Sequence, residues 1–113
     1  MKHEMKLKNK YFDMIKAGEK IYEVRLNDEK RRLLHEGDEL VFKREPELEE
    51  TLTTIIKDLI YFESFHEMAS TIPAEKVGFA NMGIGEIVDV YHEFYDVNDE
   101  QKYGVVAIKV VVQ

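Results

Sequence analysis

The chain has 113 residues, of which 44% are hydrophobic and none is cysteine. This length is typical of one compact domain, so we take residues 1–113 as a single domain. The lack of cysteine excludes disulfides, thiolate catalysis and cysteine-ligated zinc, and it fits a reducing cytoplasm. The start, MKHEMKLKNK, has no apolar signal core, and no run approaches the roughly 18 apolar residues of a membrane span. We therefore expect a cytoplasmic protein that makes no membrane contact.

The net charge of −7 is divided unevenly along the chain. Residues 1–44 contain 12 Lys or Arg and 9 Asp or Glu, whereas residues 45–113 contain 4 Lys and 14 Asp or Glu. An anionic ligand would therefore be attracted to the N-terminal half and repelled by the rest. A basic surface without any partner would give the same pattern.

The first predicted elements are a helix and a strand. The segment LKNKYFDMIKAG has apolar residues at positions 7, 11, 12 and 15, which is helical spacing, and Gly18 is suited to end this helix. The following KIYEVRL alternates, with Tyr22, Val24 and Leu26 on one face and Glu23 and Arg25 on the other. This pattern predicts a strand with one buried face and one functional or solvated face.

The middle of the chain predicts more strands and then short helices. NDEKRRLLHEGD is expected to be a turn or short helical crossing, ELVFK a strand, REPELEE an acidic loop, and TLTTIIKDLIYFE one long bent strand. In SFHE, Ser64 is a helix N-cap with Glu67 reaching back. Pro73 then fits the first turn of another short helix.

The last third predicts one long helix and one buried strand. IGEIVDVYHEFY, residues 84–95, has the clearest amphipathic spacing, and DVNDEQ after it is expected to be an acidic loop. VVAIKVVV is apolar on both faces, as in a strand inside a small closed barrel. Strands and helices are segregated, so the class is α+β, with a small mixed barrel of about five to six strands flanked by helices.

Glu23 and Arg25 are the first candidates for chemistry. They lie on one strand face, roughly 6.6–7 Å apart. Arg25 could pair with Glu23 or with a phosphate, while Glu23 could accept a proton from a base amino group or a ribose hydroxyl. An exposed salt bridge of little energetic value is the alternative. General-base catalysis by Glu23 would need a raised pKa, and Arg25 acts in the opposite direction.

The remaining candidates carry weaker signals. Lys20 is out of phase with the Glu23 face, but it stands where helix passes to strand and could turn to either side. Tyr95 or Tyr103 could present a ring for base stacking. The four histidines lack metal-ligand spacing, and NMGIGEI is neither a P-loop nor a dinucleotide fingerprint, so we expect neither a metal nor a cofactor.

Residues 9–42 resemble the ASCH (ASC-1 homology) family of the PUA-like superfamily. The family pattern is a helix ending in Gly, then Gly-x-Lys-x-x-Glu-x-Arg, then Gly-Asp before the next strand. The matching residues are Gly18, Lys20, Glu23, Arg25, Gly37 and Asp38. The ending EFYDVNDEQKYGVVAIKVVV is also similar to that of the family, so the resemblance covers most of the chain.

The resemblance implies a small PUA-like barrel with a cleft beside the motif strand, lined by Lys20, Glu23 and Arg25, which receives RNA or a nucleoside-like ligand. One subgroup of the family is similar to amidohydrolases that remove an acetyl group from acetylated cytidine, using a Lys, a Thr and a Glu. This chain retains the Lys as Lys20, has Glu23 at the Thr position, and places Ala80 at the Glu position, where Glu75 or Glu86 could substitute. Ribonuclease activity has been proposed for other members.

Three hypotheses follow. The first is an RNA- or nucleotide-binding domain that uses Lys20, Glu23, Arg25 and Tyr95, with both a monomer and a dimer left open. The second is a small hydrolase, either an N-acylated nucleoside amidohydrolase or a ribonuclease, with Lys20 and Glu23 as its catalytic residues. The third is a protein-interaction domain that contacts partners through its acidic second half. We favour the first hypothesis.

Overall fold

A computed structural model describes all 113 residues, which form five strands and four α-helices. The strands are β1 (Lys2–Leu7), β2 (Tyr22–Leu26), β3 (Glu39–Arg44), β4 (Thr51–Phe62) and β5 (Val105–Val112). The helices are α1 (Asn9–Lys16), α2 (Phe65–Thr71), α3 (Ile84–His92) and α4 (Val97–Tyr103). Two single 3₁₀ turns, Arg31–Leu33 and Ala74–Val77, complete the list.

The five strands form one curled sheet in the order β1-β3-β4-β5-β2. The β1–β3 pair is parallel and the other pairs are antiparallel. Strands β1 and β2 are the two edges of the sheet, and no ladder joins them. The sheet is therefore a half-barrel with an open seam between β1 and β2, which confirms the α+β class and is consistent with a small PUA-like barrel.

Strand β1 was not expected from the sequence, which predicted a helix from residue 7 onward. In the structure Leu7 is the last residue of β1, and α1 begins at Asn9. Met5 and Leu7 point into the core while Lys6 between them is exposed, so the strand alternates over a very short span. The helix stop is confirmed, because Gly18 adopts a positive φ of 80° after the last turn.

Strand β5 separates two hydrophobic cores, which explains why its sequence is apolar on both faces. Val105 and Ala107 pack under α2 and α3, whereas Val106 and Ile108 face the inside of the curl, where α1 packs. Strand β4 is the predicted long strand, and its register against β5 shifts near Lys57. This bulge bends the strand and helps the sheet to curl.

The helices after β4 confirm one prediction and correct two. The Ser64 hydroxyl accepts a hydrogen bond from the Glu67 backbone N–H at 3.0 Å and so caps α2. Helix α3 ends at His92, three residues before the predicted end. The expected acidic loop is helix α4, because Asp96 accepts a hydrogen bond from the Asn98 N–H at 2.6 Å and caps a first turn rich in acidic residues.

None of these helices has the length and apolar character needed to cross a membrane.

Candidate nucleotide-binding cleft

A cleft of about 550 Å³ opens at the seam of the half-barrel. Residues of β1 form one wall, residues of β2 form the floor, and the end of α3 with the segment after it forms the opposite wall. Glu23 and Arg25 pair across the sheet with Ile108 and Val106, which face the inside of the curl. Glu23 and Arg25 therefore lie on the inner face of the curled sheet. This face is accessible at that point because no ladder joins β1 to β2.

The floor of the cleft is an ionic triad of Lys20, Glu23 and Arg25. Lys20 Nζ lies 3.2 Å from Glu23 Oε1, and Arg25 Nε lies 2.6 Å from Glu23 Oε2. Lys20 and Glu23 are only 3% and 7% exposed. The charged face of β2 is thus almost fully buried. Lys20 precedes the strand and is out of phase with Glu23, but its side chain turns toward this face.

Each N–H of the Lys20 ammonium has an acceptor within the protein. Besides Glu23, Nζ donates to the carbonyls of Tyr22 at 2.7 Å and Val77 at 2.9 Å. Burial lowers the pKa of Lys20 from its ordinary value, and the Glu23 charge opposes this effect. The two backbone carbonyls and the Glu23 carboxylate around Nζ are all acceptors, and they favour the ammonium form of Lys20 against the effect of burial.

Glu23 is held as a carboxylate. Burial acts to raise its pKa, but the Lys20 and Arg25 charges outweigh burial, and the pKa of Glu23 lies below its ordinary value. Oε2 accepts a hydrogen bond from Arg25 Nε, and Oε1 forms an ion pair with Lys20 Nζ. Glu23 can accept a further hydrogen bond from a ligand, but it is poorly suited to remove a proton.

Arg25 is fixed from two sides and still has donors to offer. Its Nη2 donates to the Lys6 carbonyl at 2.9 Å, so the side chain bridges the open seam between β2 and β1. Two of the five guanidinium N–H groups are used by Glu23 and Lys6. The remaining donors are available to a ligand in a fixed orientation, because both ends of the fork are held.

Aromatic rings form much of the cleft wall. They belong to Tyr11, Phe79, Tyr91, Phe94 and Tyr95. Tyr95, the predicted stacking residue, lines the cleft and packs on Phe65 with ring centroids 5.5 Å apart, whereas Tyr103 lines a different groove. Phe94 falls within the predicted helix 84–95, but it lies beyond the end of α3 and is 57% exposed at the cleft mouth.

The cleft is basic in an acidic protein. Its lining contains seven Lys or Arg and three Glu, a net charge of +4, so the rest of the chain carries −11. Lys43 pairs with Glu4 at 3.2 Å, whereas Lys6, Lys8 and Lys30 make no ion pair. The sequence predicted a basic N-terminal half but could not show that β1 and the 3₁₀ turn at residues 31–33 bring its charges to one opening.

The amidohydrolase positions are not assembled around Lys20. Ala80, Glu75 and Glu86 all lie outside the cleft lining. Glu86 instead accepts a hydrogen bond from the Gly83 backbone N–H at 3.1 Å and caps α3. The structure contains no group of three or more His, Asp or Glu side chains that could hold a metal ion.

The curled, helix-flanked half-barrel is consistent with a small domain of the PUA-like type. The family model described as ASCH domain matches residues 5–112. The chain therefore belongs to the ASCH domain family, as its motif predicted.

Two solved structures are similar over the whole chain. The crystal structure of hypothetical protein PH0355 is 41% identical, with a TM-score of 0.88 and complete coverage of both chains. The solution NMR structure of protein PF0455 from Pyrococcus furiosus is 38% identical, with a TM-score of 0.78 and coverage of 99% of this chain and 97% of that one. No protein of curated function matches the chain.

Proposed function

We propose that this ASCH domain binds RNA or a nucleotide in the cleft at the barrel seam. The observation that carries the proposal is the charge contrast between the cleft and the rest of the surface, +4 against −11. A concave site with one sign of charge in a protein of the opposite sign attracts an anionic ligand and directs it to that site. The aromatic wall adds affinity for a planar base.

Membership of the ASCH family supports RNA binding in general terms. A short or single-nucleotide ligand fits better than a long duplex, because the basic surface is confined to one cleft and the remaining surface repels phosphate. We propose that the protein binds this ligand as a monomer. The absence of cysteine favours a cytoplasmic location.

The contacts of Lys20 and Glu23 count against the hydrolase hypothesis. Catalysis by these residues would need a neutral amine or a carboxylate of raised pKa. Burial lowers the pKa of Lys20, which is the direction a neutral amine requires, but Nζ donates to two backbone carbonyls and is paired with Glu23, and the Glu23 pKa is lowered. No contact in the cleft favours proton transfer over binding, and we therefore propose no reaction.

The test is a titration of the protein with short single-stranded RNAs at several salt concentrations, comparing Arg25→Ala with Arg44→Ala. The two arginines match well, because each pairs with carboxylates and their side chains are 17% and 20% exposed, but only Arg25 lines the cleft. We expect salt-sensitive binding that Arg25→Ala weakens and Arg44→Ala preserves.

Circular dichroism verifies that each variant is folded, and Lys30→Ala, at an exposed position on the cleft rim, serves as a second cleft variant. Turnover of any RNA or N-acylated nucleoside that Lys20→Ala abolishes would replace the binding proposal with the hydrolase. Absence of binding to every probe would instead favour the protein-interaction hypothesis.

A further inference from the structure

The floor of the cleft is unsuited to a phosphate group. Lys20, Glu23 and Arg25 together carry only one net positive charge, and the Lys20 donors are already used within the protein. A phosphate placed there would lie beside the Glu23 carboxylate, and the two like charges would repel each other in a poorly solvated site. A neutral group with both a hydrogen-bond donor and an acceptor suits the Glu23–Arg25 pair much better.

The walls indicate the shape of that group. Phe79 and Tyr91 are almost fully buried at 7% and 8% exposure, whereas Phe94 is 57% exposed at the mouth, with Lys8 Nζ over its ring. A flat group that contacts the exposed Phe94 ring would meet apolar carbon on its face and the charged donors and acceptors of the cleft floor on its edge. Nucleobases have this combination of an apolar face and a polar edge.

The rim provides the charge that the floor lacks. Lys6, Lys8 and Lys30 are exposed, line the cleft and have no acidic partner. Lys8 Nζ lies 4.4 Å from the centre of the Phe94 ring, so a cation and an aromatic platform are adjacent at the mouth. A nucleotide whose base contacts Phe94 would hold its phosphate near this lysine.

We propose that the cleft takes one unpaired nucleotide base-first, with the base edge on Glu23 and Arg25, the base face on Phe94, and the phosphates on the rim lysines. This inference rests on the proposed function and adds the orientation and the strandedness of the ligand. In a duplex the base edges are paired and the base faces are stacked, so a duplex cannot reach the floor of the cleft unless a base is first extruded.

The experiment measures the affinity for ribose 5-phosphate, the four nucleoside 5′-monophosphates, a short single-stranded RNA and the corresponding duplex. Phe94→Ala is compared with Tyr61→Ala, because the two rings are 57% and 58% exposed and only Phe94 lines the cleft. Lys8→Ala is compared with Lys57→Ala, an exposed lysine outside the cleft. Both cleft positions are exposed, so these variants should fold.

We expect the single strand to bind more tightly than the duplex, and ribose 5-phosphate to bind more weakly than a nucleotide. Phe94→Ala should weaken nucleotide binding about 5- to 160-fold, the range for loss of one base-stacking ring, and leave ribose 5-phosphate unaffected. Lys8→Ala should reduce the slope of log affinity against log salt by about 0.7, the value for one contact with single-stranded phosphate. The two control variants should match the unmodified protein.

Two contrary results have different meanings. Equal binding of duplex and single strand, with Phe94→Ala equal to Tyr61→Ala, would overturn the base-first orientation while RNA binding stands. Failure of every probe to bind the unmodified protein would overturn the proposed function, and the inference with it.

Discussion

Replacement of Glu23 by Gln tests whether the triad on the cleft floor is an integral part of the fold. The change keeps the shape of the side chain and removes its charge, which leaves the Lys20 ammonium 3% exposed without a counter-ion. Lys20 keeps its two carbonyl acceptors, and Arg25 keeps the Lys6 carbonyl. Both cations nevertheless lose their only anionic partner.

Removal of one partner from a buried ion pair costs about 3–5 kcal/mol, because the remaining charge stays desolvated. A chain of 113 residues has a total unfolding free energy of about 6–17 kcal/mol. Glu23→Gln should therefore lower the midpoint of thermal unfolding by roughly 12–20 °C. Urea unfolding followed by circular dichroism gives the free-energy difference directly.

Glu50→Gln is the matched control. The Glu50 carboxylate also contacts an arginine and a lysine, Arg44 at 2.9 Å and Lys16 at 3.3 Å, but its side chain is 46% exposed. Solvent screens that pair, so its loss should be small beside the loss at Glu23. Lys20→Met combined with Glu23→Gln should be more stable than the sum of the single changes predicts. A loss below about 1 kcal/mol for Glu23→Gln, or strict additivity in the double variant, would refute a coupled buried triad.

Three further predictions concern residues around this site and the strand beside it. Gly78 has a φ of +91°, and a Cβ there would lie 3.1 Å from Lys20 Cδ, so Gly78→Ala should cost about 1–2 kcal/mol in urea unfolding, whereas Gly85→Ala has free space and should not destabilise. The hydrogen bond from the His3 ring is the main cause that lowers the pKa of Asp38 to about 2. The stability that the lowered pKa of Asp38 contributes is complete above the unfolded pKa of about 3.9 and is lost as pH falls through about 2. Asp38→Asn should therefore reduce the dependence of the unfolding free energy on pH in that window. Glu100 is 5% exposed and accepts the first N–H of α2 at 2.7 Å, and Glu100→Ala should lower the unfolding free energy by about 1–3 kcal/mol; an unchanged urea midpoint would contradict this role.

The elements that local pattern identified are those with a strong, self-contained signal. The alternation of Tyr22 to Leu26 predicted β2, and the positive φ at Gly18 follows from the ability of glycine to leave a helix in the left-handed conformation. The apolar run Val105–Val112 predicted a strand covered on both faces. The family pattern then selected Lys20, Glu23 and Arg25 from among many charged residues.

Weaker local signals were misread where tertiary contacts determine the structure. Strand β1 has only Met5 and Leu7 as buried apolar residues, and its pairing partner β3 is more than thirty residues away. Helix α4 is acidic, and its one buried residue is Glu100, whose carboxylate serves α2 rather than its own helix. Neither segment has the apolar periodicity on which sequence-based prediction depends.

The sequence by itself determined the α+β class, the positions of most strands and the residue types of the candidate site. Only the tertiary structure determined that the barrel stays open between β1 and β2, that Arg25 bridges this opening to the Lys6 carbonyl, and that Lys20 reaches the Val77 carbonyl 57 residues away. The physical reason is that a long charged side chain takes its direction from the acceptors that surround it. Those acceptors come from distant parts of the chain and meet only when the sheet curls.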